Sequence, residues 1–364
     1  MDSLPLALSI SRRFMLAALW LMLGALLQVA KSMIVIIGLE EGSPAHYDNA
    51  FYTEYRGAFQ DLIVTRHPRG WAPGEQIGAC SNSNYAWRHA VQKLVDEDKL
   101  DRFSMICTSS DTDTLWPIDY FEYLGLAFLT HKRPHDVIWQ APLFYNLALD
   151  RRPWFVRCTG IVRTAFMCGF LIGQDLNPMS TFSFSMDLLI RADFVHPTHP
   201  MDDVVHVLQC MKAVRGRVSV VFVPLVVISG PTSGATLREE LYEWARQIRR
   251  WCIGTMAVWH YFIAKQLKGN FELWAGLRYG LAFTHYYGFV LCSMMLTALN
   301  GTVASIIWRN VDPASWGHCS ERNGYSNALV DFVGIGSISL TYLGFFVFFV
   351  MDRVRVCVCA CMRV

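Results

Sequence analysis

Three short stretches of the chain carry residue types whose spacing suits chemistry. The first is Ile106-Cys107-Thr108-Ser109-Ser110-Asp111-Thr112-Asp113-Thr114, an apolar run that ends in two carboxylates one residue apart. At a strand end, alternation puts residues i and i+2 on the same side. Two carboxylates so placed hold a hard divalent cation, which in turn neutralises a diphosphate; the same letters also suit a solvated turn or a helix cap. The second stretch is Met201-Asp202-Asp203, after a His-Pro-rich turn at 196–200 and before the apolar run Val204 to Met211. Adjacent acids there either cap a helix at its positive end or supply a carboxylate that takes a proton from an acceptor hydroxyl. The third is Gln247-Ile248-Arg249-Arg250-Trp251. On a helix Gln247, Arg250 and Trp251 share a face, and an amide, a guanidinium and an indole together suit a sugar and a phosphate. A membrane-proximal amphipathic helix uses Arg and Trp equally well.

The elements that must position these residues read as α/β from 33 to 230. Apolar strand-like runs occur at 33–39, 103–108 and 217–228, with helical stretches at 47–60, 83–98 and 117–130. The last opens with Pro117 in its first turn and carries Leu124, Phe128 and Leu129 as its apolar face. Strands alternating with helices predict a mostly parallel sheet covered on both faces. Residues 236–251 read as an amphipathic helix with Thr236 and Glu239 at capping-box spacing.

Hydrophobic residues make up 53 % of the 364, and charged residues 17 %, against about 25 % in soluble domains. The deficit is uneven: charges thin out at 281–307 and 328–351, which read as two transmembrane helices forming a hairpin. Aromatic-rich 252–270 reads as a helix lying at the membrane surface. The basic tail 352–364 faces the cytosol by its charge, and the hairpin returns the α/β portion to that side. Cys357, Cys359 and Cys361 in the tail suit either palmitoylation or a bland apolar helix end. The apolar stretch within 1–32 reads either as a signal anchor or as a domain helix; the topology favours the second, or an interfacial position. A net charge of +2 and the lack of a basic stripe exclude a nucleic-acid partner. Eleven cysteines without CxxC pairs signal neither a zinc knuckle nor a disulfide framework.

Taken in order, these stretches resemble glycosyltransferase family 2, the cellulose-, chitin- and hyaluronan-synthase-like enzymes. Processive members carry a DxD pair, a Thr-Glu-Asp triplet and a Gln-x-x-Arg-Trp helix just before membrane spans. Their counterparts here are Asp111 and Asp113, Met201-Asp202-Asp203, and Gln247, Arg250 and Trp251. Ile36-Ile37-Gly38-Leu39-Glu40-Glu41-Gly42-Ser43 resembles the family's strand followed by Asp-Asp-Gly-Ser. Gly78-Ala79-Cys80-Ser81-Asn82 resembles its Gly-Lys stretch with Ala79 in place of Lys, and Ser180–Ser185 its acceptor-side stretch. The family's first strand has no counterpart before Met33, so the chain reads as an N-terminally incomplete member.

The resemblance implies a GT-A (Rossmann-like) catalytic domain over 33–251, followed by the transmembrane hairpin within 281–351. It implies Mg2+ or Mn2+ held by Asp111 and Asp113 on the diphosphate of a UDP-sugar donor. Asp203 would be the general base and Asp202 would stand where the family has Glu. Glu40 and Glu41 would contact the uridine. Trp251 would stack under the acceptor sugar, with Gln247 and Arg250 steadying diphosphate and acceptor. The expected activity is inverting transfer of a sugar to a glycan or other hydroxyl acceptor at a lipid bilayer, by an integral membrane protein with a cytosolic catalytic domain. The alternative is a catalytically degenerate member serving as a membrane scaffold or partner subunit.

Overall fold

The computed structural model describes residues 27–117, 119–145, 147, 152–172, 178–199, 201–214, 218–231, 234–251, 277 and 279–282. The expected spans at 281–307 (apart from residues 281 and 282) and 328–351, the interfacial helix 252–270, the tail 352–364 and most of 1–32 lie outside these residues. No helix among the described residues is long and apolar enough to cross a membrane.

The chain opens with α1 (Leu27–Ala30), β1 (Ile34–Glu40), α2 (His46–Tyr55) and β2 (Asp61–His67). β1 and β2 form a parallel pair whose register sets Ile34 against Asp61 and Glu40 against His67. β2 went unread in the sequence although Asp-Leu-Ile-Val-Thr-Arg-His alternates half-buried and buried positions over most of its length. Then come α3 (Ala79–Asp96), β3 (Ile106–Ser109), α4 (Tyr120–Thr130), β4 (Val137–Gln140) and β5 (Leu143–Phe144). They are followed by α5 (Trp154–Phe166), β6 (Phe182–Ser185), α6 (Met186–Arg191), α7 (Asp202–Val214), β7 (Ser219–Phe222) and β8 (Val227–Ile228). Residues 237–251 form a further helix, α8, and the described residues at 277 and 279–282 are helical too.

The sheet is less uniform than the alternation of elements predicts. β4 and β7 pair in parallel, as do β5 and β8, but β6 runs antiparallel to both of its neighbours in the order β3-β6-β4-β7. Pairing Ser109, the last residue of β3, with Phe182, the first of β6, brings the residues after β3 to the edge where the residues before β6 lie. The antiparallel strand thus delivers Ser180 to the same end of the sheet as Asp111.

The apolar run at 217–228 is not one strand but two, because Pro224 between them has no N–H to give to a ladder. Helix α4 starts at Tyr120 rather than Pro117, whose carbonyl accepts from the Tyr120 N–H at 3.1 Å. Leu124 and Phe128 are buried on α4, whereas Leu129 is 81 % exposed; five residues on from Leu124 the helix has turned about 140° away from that face.

The larger core packs α4, α7 and the four-stranded sheet around Trp139, Leu143, Phe182, Leu188 and Leu208. Burying each such side chain contributes about 1.5–3 kcal/mol. A smaller core under β1 and β2 gathers Phe51, Tyr55, Phe59 and Leu62, and Phe121 packs against both. Helix α3 joins the two parts. It lies against β1 and β2, while its Trp87 meets Phe184 of β6 with ring centroids 6.1 Å apart.

Candidate active site: an aspartate cluster at one sheet end

The residues after β3 are fixed by a second pairing. Leu115 exchanges backbone hydrogen bonds with Ile228 of β8, its N–H donating at 2.6 Å and its carbonyl accepting at 3.0 Å. That bridge places Asp113 against the end of β8, where the Ser229 hydroxyl donates to its Oδ1 at 3.3 Å. Gly230 lies so near that any side chain there would run into Asp113 Oδ2. Burial raises the Asp113 carboxyl above its ordinary range, and the Ser229 hydrogen bond offsets part of the rise.

Asp111 stands in a denser field of like charge. Desolvation, then Asp202, Asp113 and Asp203, push its carboxyl up to about 7, against the pull of Arg163. Asp111 itself is exposed, so water tempers the desolvation and the neighbouring carboxylates carry more of the effect.

Asp202 and Asp203 are the first two residues of helix α7, in its first turn; their surroundings add a second property. Asp203 is 6 % exposed, and its Oδ1 accepts from the Val204 N–H at 2.7 Å while Oδ2 accepts from the Ser180 N–H at 3.4 Å. Burial and then Asp202 raise its carboxyl; burial raises Asp202 too, with Arg250 opposing. A helix N-terminus favours negative charge, yet here desolvation wins.

Helix α3 secures this corner. The Gln76 N–H donates to the Pro197 carbonyl at 3.1 Å, Asn84 Nδ2 donates to the Val195 carbonyl, and Arg88 pairs with Asp193 at 2.7 Å. Buried Cys80, in the Gly78–Asn82 stretch, has its thiol raised by burial and then by Asp202 and Asp203. That stretch therefore borders the cluster, with Ala79 beside it.

Helix α8 begins as the sequence predicts. The Glu239 N–H donates to Thr236 Oγ1 at 3.2 Å, and Glu239 Oε2 reaches back to the Ala235 N–H at 3.0 Å. It lies along α5 and the residues leading into it through three contacts: Arg152 with Glu240 at 3.2 Å, Trp244 Nε1 donating to Thr159 Oγ1 at 3.1 Å, and the Arg163 guanidinium 4.0 Å from the Trp251 ring centroid. Both numberings rise together, so the helices run in the same direction side by side. Trp251 is 6 % exposed with Arg163 over its ring. Arg250 is exposed, and its charge reaches Asp202 and Cys80; Gln247 is half-buried one turn earlier.

Glu40 and Glu41 belong to a different group. The β1–β2 register puts Glu40 opposite His67, whose Nδ1 lies 3.5 Å from Glu40 Oε2 and Nε2 3.2 Å from Glu75 Oε2. Glu41 accepts from the Arg69 N–H at 3.1 Å. Arg66 fixes the turn between them and α2, donating to the carbonyls of Glu40, Glu41 and Ser43 at 3.1, 3.2 and 2.7 Å. Among the described residues no hydrogen bond or ion pair joins this group to the four aspartates.

No three of His, Cys, Asp and Glu among the described residues close around a common point as a self-contained metal site. The chemistry of the donor set still fits Mg2+ or Mn2+, which take one or two carboxylates and complete their shell with water and substrate phosphates. Four carboxylates that resist ionising together are a site short of positive charge.

Sequence reasoning missed Arg163, Tyr145, Ser229 and Gly230. Arg163 left one signal: a cation set in the apolar run from Ile161 to Met167, where a buried charge is costly unless partnered. The others lack signals because only tertiary pairing brings them to the aspartates.

No family model matches the chain, and no curated protein matches it. Among solved structures the chain is similar to a mannosyltransferase from Pyrobaculum calidifontis in complex with GDP-Man and Mn2+, at 15 % identity and a TM-score of 0.43, over 87 % of this chain and 76 % of that one. A likeness that slight assigns neither fold nor chemistry.

Proposed function

We propose that the protein is an inverting, divalent-metal-dependent glycosyltransferase of GT-A type that moves a sugar from a UDP-sugar to a glycan or other hydroxyl acceptor at a membrane. One observation carries the reading: the β3–β6 register and the Ser180–Asp203 hydrogen bond bring two acid pairs some 90 residues apart in sequence, Asp111 with Asp113 and Asp202 with Asp203, to one sheet end, with Arg163 and Trp251 on the adjoining helices. Such a cluster suits a diphosphate and a metal on one side and an acceptor hydroxyl on the other.

In this reading Asp111 and Asp113 bind Mg2+ or Mn2+ together with the diphosphate. When bound, the cation stabilises the charge that develops on the leaving nucleotide. Asp203 takes the proton of the acceptor hydroxyl as that oxygen attacks the anomeric carbon from the face opposite the leaving group. A carboxyl whose proton affinity is raised by burial is a stronger base than a solvated one. Arg250 and Gln247 are assigned to steadying the diphosphate and acceptor. Glu40 and Glu41, held by Arg66 at the end of β1, are assigned to the uridine end of the donor. The hairpin within 281–351 holds the domain at the cytosolic face of the bilayer.

Isothermal titration of UDP into the full-length, detergent-solubilised protein tests the donor half. Binding is expected with Mn2+ and not with a chelator, and Asp111→Asn with Asp113→Asn removes the metal-dependent part. Metal-independent binding, or none at all, contradicts the assignment and favours a scaffold.

A further inference from the structure

The buried cation of this site has a geometry of its own. Arg163 is 7 % exposed. Its guanidinium lies 3.7 Å from the ring centroid of Tyr145 and 4.0 Å from that of Trp251, between two aromatic groups. One of its nitrogens donates to the Tyr145 hydroxyl at 2.7 Å. The Tyr145 hydroxyl is 3.4 Å from Ser180 Oγ, and the Ser180 N–H donates to Asp203 Oδ2 at 3.4 Å. A continuous path of polar contacts thus runs from a guanidinium on α5 to the aspartate at the start of α7.

Two further features mark the path as more than packing. Ser180 is held at φ +27°, a backbone region that L residues rarely adopt, and strain of this sort persists where surrounding contacts impose it. The residue so held is the one whose N–H donates to Asp203. A guanidinium in the interior is also costly unless charge and hydrogen bonds compensate it. Its compensation comes from Tyr145, from the π faces, and from the field of Asp111, Asp113 and Asp203, each of which responds to Arg163.

We propose that Arg163, acting through Tyr145 and Ser180, is a positioning residue: it fixes the Asp203 carboxylate toward the acceptor and locks the Trp251 ring in register with it. This deepens the glycosyl-transfer reading and rests on it. Arg163 touches the acceptor platform and the path to the base, so its loss misplaces the base against the acceptor more than it weakens donor binding, which feels Arg163 only through its charge on Asp111 and Asp113. Planarity matters: only a guanidinium stacks between two rings while donating sideways.

The test is steady-state kinetics of the full-length protein with saturating metal, varying donor and acceptor in turn, on Tyr145→Phe, Arg163→Lys and Arg163→Met. Tyr145→Phe keeps the ring and loses only the hydroxyl; kcat is expected to fall about tenfold at unchanged donor KM. Arg163→Met keeps apolar volume and loses the charge; kcat is expected to fall about 100-fold, with acceptor KM raised and donor KM within about twofold. Arg163→Lys restores part of that loss, because the charge and one hydrogen bond return. If Met performs as well as Lys, or if Tyr145→Phe is indistinguishable from wild type, Arg163 is packing and the proposal is overturned. Equal losses in donor and acceptor KM overturn it as well. Should Arg163→Met fail to fold, Tyr145→Phe alone decides. A wild-type protein that transfers no sugar removes the reading beneath the proposal, whereas an active wild type with unaffected variants removes the proposal alone.

Discussion

At the scale of residues, four carboxylates share one end of a sheet, and each holds its proton more tightly than an isolated aspartate does. The sign of the consequence follows from linkage. A folded-state value raised above the unfolded 3.8 means stability that is full below about 4 and declines as pH rises toward 7. Asp61, Glu75 and Asp136, whose carboxyls are lowered, work in the opposite sense, so overall acid stability does not isolate the cluster. A metal does, because it binds the ionised form and displaces protons. The rise in melting temperature on adding Mn2+ should therefore be larger at pH 7.5 than at pH 5, and should vanish in the Asp111→Asn, Asp113→Asn double variant. A rise that is independent of pH would place the cation elsewhere.

Elements explain why those residues meet. Antiparallel β6 brings Ser180 beside Asp111, the Leu115–Ile228 bridge brings Ser229 and Gly230 beside Asp113, and α3 fastens the turn that leads into Asp202. Gly230 is the glycine that bears on the cluster, since a methyl group there meets Asp113 Oδ2. Gly230→Ala is expected to cost about 1–3 kcal/mol of stability by overpacking and to weaken Mn2+-dependent UDP binding roughly tenfold; chemical denaturation and titration calorimetry measure the two. Unchanged metal dependence would mean that Asp113 is not a ligand. Much of this layer was legible in the sequence. The strand read at 33–39 is observed at Ile34–Glu40, the helix read at 83–98 at Ala79–Asp96, and the Thr236–Glu239 cap as read; all three follow from local pattern, which needs only a few neighbouring residues. Asp111, Asp113, Asp202 and Asp203 were legible as paired acids. Strand β6's reversed direction was not, because chain direction depends on how distant segments pair. Arg163 was not, because its meaning lies in Tyr145 and Trp251, 18 residues before it and 88 after it in the chain.

At the scale of the molecule, the described body is mixed α/β with two cores bridged by α3. The proposed membrane hairpin, which lies outside the described residues apart from 281 and 282, makes a topological prediction of its own. If 281–307 and 328–351 span in opposite directions, Cys319 in the loop between them lies on the non-cytosolic side, and Cys357, Cys359 and Cys361 lie on the cytosolic side with the catalytic body. A membrane-impermeant maleimide applied to intact cells should label the wild type and not Cys319→Ser, while tail labelling should need permeabilisation; labelling of Cys319 only after permeabilisation would contradict the hairpin. The central claim is glycosyl transfer by the aspartate cluster, and its most direct test is turnover. Detergent-solubilised full-length protein with Mn2+ should release UDP from at least one sugar donor of a broad panel in an acceptor-dependent way, and Asp203→Asn should lower that rate by about 100- to 10,000-fold while Mn2+-dependent UDP binding persists. No acceptor-dependent release from any donor, or an Asp203→Asn variant as active as wild type, would contradict the account.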